Sequence, residues 1–93
     1  MKISSMFTPI RIGSMTVPNR FVVPPMGNNF ANTDGTLSET SKAYYLERAL
    51  GGFGLITIES SVVDKKAKGG PRKPCLYDDS TIDSFKNVID ACH

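Results

Sequence analysis

The stretch FVVPPMGNNF, residues 21–30, runs an apolar, β-branched segment into two prolines, a methionine and a Gly-Asn-Asn turn. Residues 20–24 read as a strand of the kind buried on both faces in a parallel sheet. Pro24 and Pro25 stop it, because proline carries no ladder N–H and biases the preceding residue away from the helical region. The residues that follow, GNNFANTDGT, are turn chemistry throughout. A long loop therefore leaves the carboxyl end of this strand.

The flanking segments place that strand in an α/β order. Upstream, Ile10 to Ile12 and Met15 to Val17 flank Gly13-Ser14 with the spacing of a small hairpin. Downstream, Thr36 with Glu39 three residues later reads as a capping box, and Ala43, Leu46 and Leu50 recur at helical spacing before Gly51-Gly52. GLITIES then supplies a second apolar strand at 54–59, so strand, helix and strand form a βαβ unit with a right-handed crossover. A second loop occupies 61–78. Ser80 with Asp83 predicts another helix cap, and Ile82, Phe85, Val88, Ile89 and Cys92 predict the buried side of that helix. The order is hairpin, β, α, β, α, ending where a third parallel strand is due. Two parallel strands leave apolar faces and edges uncovered, so this order predicts the opening part of a larger α/β domain or a piece completed by another chain.

Composition narrows the classes. The 93 residues are 40% hydrophobic and 22% charged with a net charge of +2, the profile of an ordinary globular protein with no pull toward nucleic acid. Lys65, Lys66, Lys68, Arg72 and Lys73 make a local basic run, but its glycines and prolines and its lack of interleaved aromatics fit a solvated loop. No leader pattern and no membrane-length apolar run occur, which predicts a reduced, intracellular setting with no membrane partner. Cys75 and Cys92 lack CxxC or metal-ligand spacing. Cys92 reads as a packed thiol, and His93 as a terminal residue without a catalytic role.

Ligands of parallel α/β folds bind at the carboxyl ends of strands, where loops and helix starts converge. The two strand ends are PPMGNN and TIESS, which a βαβ unit makes neighbours. Pro25 and Met26 offer a rigid apolar surface, Gly27 lets backbone approach something flat, and Ser60 or Ser61 adds a polar group. That arrangement suits a planar ring system with a polar rim; plain strand termination in a tight turn fits the same residues. Glu59, ending an apolar strand, is costly to bury unpaired. A structural ion pair, with Arg20 or a base outside this chain, is the favoured reading over a catalytic one. No GxGxxG, GxxxxGK[ST] or HExxH motif is present.

Taken together, MFTPIRIGSMTVPNR, the strand ending in PM, DGTLSE, YYLERALGGFGLITIE and DDSTIDSFKNVIDA resemble the amino terminus of the Old Yellow Enzyme family, the NADH:flavin oxidoreductases. The resemblance covers essentially the whole chain. It implies that residues 1–93 are the N-terminal, incomplete part of an FMN-binding (β/α)8 TIM barrel, with the hairpin at 8–18 closing its bottom. It places flavin contacts on Pro24, Pro25, Met26, Gly27 and Ser60, and a substrate contact on Asn29. Gly27 departs from relatives carrying Cys or Thr there, which removes a side chain that tunes the flavin. The implied activity of the complete protein is FMN-dependent, NAD(P)H-driven reduction of activated C=C bonds in enone or dienoyl substrates, in the cytoplasm. Long-form relatives add a 4Fe-4S cluster and FAD. The polar pair that holds the substrate carbonyl lies outside these residues, so no catalytic residue or metal ligand is assigned here and the isolated chain is expected to be inactive. The alternative is a non-catalytic structural or complementing fragment without cofactor.

Overall fold

The computed structural model describes residues 3–93. Its elements follow the expected order: β1 (Ile10–Ile12), β2 (Met15–Val17), β3 (Val22–Val23), α1 (Glu39–Leu50), β4 (Leu55–Ile56) and α2 (Ile82–Cys92). β1 and β2 form an antiparallel hairpin with Ile10 opposite Val17. Gly13 turns it at a φ of 61°, a region open to a residue without Cβ. β3 and β4 are parallel, Val22 beside Leu55 and Val23 beside Ile56, with α1 in the crossover.

The ladder is shorter than the strands expected at 20–24 and 54–59. The N–H groups of Gly54 and Leu55 reach the Phe21 carbonyl, and Thr57 N–H reaches the Val23 carbonyl at 3.0 Å. Pro24 then brings no donor, and the pairing ends. At the other end Asn19 joins the two strand starts. Its Oδ1 accepts Phe21 N–H at 3.0 Å and Gly54 N–H at 2.9 Å, while its Nδ2 donates to the Gly52 carbonyl at 2.7 Å. A Cβ on Gly54 would fall 2.6 Å from the Asn19 carbonyl oxygen, which explains the glycine at that close approach.

One face of the parallel pair is covered and the other is open. Val23 is buried, and Ile56 packs on the cluster of Leu37, Tyr45 and Val88 that joins α1 to α2. Val22, alternating to the opposite face, is half exposed. A parallel pair with helices on one side and an uncovered second face is the opening of a barrel wall rather than a closed sheet.

Both helix starts differ from the sequence expectation. Thr36 donates its N–H and its hydroxyl to Asp34 Oδ1, at 2.9 and 2.6 Å, so it serves the preceding turn. Ser38 is the true N-cap of α1 and accepts Ser41 N–H at 3.0 Å. The expected stripe of Ala43, Leu46 and Leu50 is also corrected: the buried residues of α1 are Ser41 and Tyr45, and Leu50 is 79% exposed. Before α2, Asp78 rather than Ser80 caps a 3₁₀ turn at Asp79–Thr81, accepting Ser80 N–H at 2.9 Å. Within α2, Val88 is buried and Phe85 and Cys92 pack on the cluster; Ile89 lines an open concavity beside them at 41% exposure, whereas Ile82 is 52% exposed.

The loops that follow β3 and β4 are knitted together. Cys75 N–H donates to the Gly35 carbonyl at 3.0 Å, and Gly35 has a φ of 89° with Cys75 directly over it. Val62 and Cys75 form a parallel bridge, with Val62 N–H on the Pro74 carbonyl at 2.8 Å and Leu76 N–H on the Val62 carbonyl at 2.7 Å. Thr81, buried before α2, donates its hydroxyl to the Cys75 carbonyl at 2.7 Å. The basic segment is thus anchored at its end by buried Pro74 and Cys75, although Lys65, Lys66 and Arg72 remain exposed.

Candidate functional site at the strand tips

The segment after β3 and the segment after β4 meet. Asn28 N–H donates to Glu59 Oε2 at 3.1 Å, and a Cβ on Gly27 would lie 3.9 Å from the same oxygen. Pro24, Pro25, Met26, Gly27 and Ser60 are all exposed around this junction, Met26 to 50%. Asn29 is exposed as well, at a φ of 58°, a left-handed conformation that asparagine tolerates better than most residues. The expected neighbourhood of the two tips is therefore present. Of the two serines, Ser60 is exposed and Ser61 turns its hydroxyl back onto the Glu59 carbonyl at 3.2 Å.

Beneath the tips lies a polar hub. Glu59 is 2% exposed, and its N–H donates to the Tyr45 hydroxyl at 2.9 Å. Tyr45 is itself 1% exposed, and burial pushes its phenol up from 10.0, so it stays neutral in ordinary buffers. Asn28 Oδ1 accepts Phe30 N–H at 3.0 Å and shapes the turn. Among the described residues, the buried Glu59 Oε1 has no hydrogen-bond partner. The expected pair of Glu59 with Arg20 is corrected: Arg20 Nε is directed to Thr8 Oγ1 at 3.4 Å. Parallel pairing puts Arg20 at the start of one strand and Glu59 beyond the end of the other, at opposite ends of the sheet.

Lys73 is the cation at the tips. Its Nζ lies 3.3 Å from the position a Cβ on Gly27 would take. Sequence reasoning placed Lys73 in a solvated run and missed this position, as it missed Tyr45 and Asn28. Neither Tyr45 nor Lys73 carries a local signal for its contact, because each partner lies on another element.

A concavity of about 320 Å³ lies elsewhere, between the hairpin, α1, β4 and α2, lined by Val17, Tyr45, Phe53, Ile56 and Val88 among others. It shares no residue with the exposed tips. Among the described residues no cluster of His, Cys, Asp and Glu suits a metal, and both cysteines are free, with burial raising the Cys92 thiol. No helix among the described residues is long and apolar enough to cross a membrane.

Comparison with known proteins fits this geometry. The sequence model of the NADH:flavin oxidoreductase / NADH oxidase family matches residues 5–93. An NADH oxidase of Thermoanaerobacter brockii is 39% identical over 90 residues, covering 96% of this chain and 14% of its own length. A cinnamate reductase of Clostridium sporogenes is 36% identical over 73 residues, covering 75% of this chain and 11% of its own length. The solved structure of the old yellow enzyme homologue from Zymomonas mobilis superposes with a TM-score of 0.87 at 30% identity, over 96% of this chain and 24% of that one. The chain thus spans a quarter or less of these relatives. With its hairpin, its parallel β-α-β-α wall and its matched length, it belongs to the NADH:flavin oxidoreductase family as the opening portion of the old yellow enzyme barrel.

Proposed function

We propose that residues 1–93 are the N-terminal part of an FMN-binding barrel domain, in an NAD(P)H-dependent oxidoreductase that reduces activated C=C bonds of enone or dienoyl substrates. The observation that carries this reading is the junction of the two strand tips, where Asn28 N–H on Glu59 Oε2 brings Pro24 to Gly27 beside Ser60. These residues suit a flat cofactor: Met26 and the prolines give exposed apolar surface, and Gly27, exposed and without a side chain, leaves its backbone open to close approach. When bound, FMN supplies the reducing equivalents. The chain's own residues bind and orient: Pro24, Pro25 and Met26 form an apolar platform, Gly27 admits the ring edge, Ser60 offers a polar group, and Asn29 reaches toward substrate. Glu59 and Tyr45 hold the tips in register from below. The names of the cinnamate reductase and NADH oxidase relatives favour a nicotinamide-driven reduction of a conjugated double bond.

The test is Gly27→Leu in the complete protein. FMN affinity should fall by about tenfold or more, since a branched side chain pushes the Lys73 terminus aside and crowds the tip, while the urea midpoint changes little because that terminus is flexible. Wild-type FMN occupancy in Gly27→Leu would overturn the assignment.

A further inference from the structure

Lys73 and Glu59 flank the one strand-tip residue without a side chain. Lys73 Nζ stands 3.3 Å, and Glu59 Oε2 3.9 Å, from the place of a Cβ on Gly27. Glu59 is 2% exposed, and its second oxygen has no partner among the described residues. A buried carboxylate in that condition draws a counter-charge toward it. The Lys73 ammonium nonetheless makes no ion pair or hydrogen bond within the described residues, although its carbonyl accepts from the Cys75 thiol at 3.4 Å, so the charged end lies at the tip without a partner there. Its backbone is fixed, since Pro74 and Cys75 beside it are buried and Cys75 N–H is held by Gly35. Only the side chain has freedom, and its stem passes Gly70, where no side chain obstructs it.

We propose that Lys73 is an electrostatic positioning residue of the cofactor seat: its ammonium takes the space that Gly27 leaves empty and faces the electron-rich rim of the flat ligand, with Glu59 biasing it to that place. This inference rests on the reading that the tips seat FMN. A cation there interacts more strongly with the reduced cofactor, which carries more negative charge than the oxidised one. Lys73 therefore favours reduction without touching substrate.

The experiment uses the complete protein loaded with FMN and compares wild type with Lys73→Met and Lys73→Arg. FMN affinity is read by absorbance titration, and the reduction equilibrium by anaerobic titration against a dye of known potential. In Lys73→Met the ratio of reduced to oxidised flavin at a fixed solution potential should fall about tenfold, with Lys73→Arg close to wild type. Loss of FMN from Lys73→Met alone, with Lys73→Arg loaded and the fold intact by circular dichroism, also supports the contact. An unchanged reduction equilibrium and FMN affinity in Lys73→Met would overturn the role of Lys73 and leave the seat standing. Full FMN occupancy in Gly27→Leu would instead remove the seat itself.

Discussion

Replacing Tyr45 by phenylalanine isolates one hydrogen bond at the centre of the molecule. The ring keeps its place in the cluster with Leu37 and Val88, so no large cavity forms. What disappears is the acceptor of Glu59 N–H, now 2.9 Å from the hydroxyl. With Glu59 at 2% exposure, water has little access to replace it. An orphaned buried donor costs about 1–3 kcal/mol. Urea unfolding of the protein should show a lower midpoint with an unchanged slope. Amide exchange gives a local reading: Glu59 N–H should exchange roughly 5- to 150-fold faster, the same free energy expressed as a ratio. A Tyr45→Phe protein within about 0.5 kcal/mol of wild type, with Glu59 still protected, would refute the hub as a tie between α1 and the strand tips.

Two further substitutions probe the loops. Gly35→Ala should destabilise by about 2–4 kcal/mol, because the residue sits at a φ of 89° and the new methyl would fall 2.5 Å from Cys75 Cβ; faster labelling of the Cys75 thiol checks that the junction opens. Asp78→Asn should flatten the acid limb of the stability curve. The Ser80 hydroxyl and N–H hold the Asp78 carboxyl below 3.8, so its contribution is full above that value and is lost as pH falls through the lowered folded pKa; equal slopes below about pH 4 in both proteins would count against it.

The order of elements was legible because β-branched runs, prolines and glycine pairs act locally. Boundaries were not, since a ladder extends only where a neighbour supplies partners: beyond Thr57, whose N–H takes the Val23 carbonyl, Pro24 offers β4 no further donor. The cap of α1 was displaced because Thr36 and Ser38 are both hydroxyl residues, and the sequence does not say that Asp34 claims the first. Aliphatic spacing pointed to Leu46 and Leu50, whereas the core took Tyr45, whose hydroxyl reaches a backbone donor fourteen residues away. Glu59 was read as a carboxylate whose burial would demand a partner, with solvent at the strand tip as the alternative, and a pairing with Arg20 ignored the direction of parallel strands. The apolar tips were readable from PPMG itself. Lys73 was not, because a loop segment acquires its neighbours only from the complete fold.

The seam at Gly35 and Cys75 bears on how this protein is to be re-engineered. The two segments that follow β3 and β4 share a backbone hydrogen bond and a close glycine–thiol contact, so they behave as one structural cassette. A graft that exchanges either segment alone brings a foreign side chain against the other, whereas one that transfers residues 24–38 and 61–78 jointly carries the fit with it.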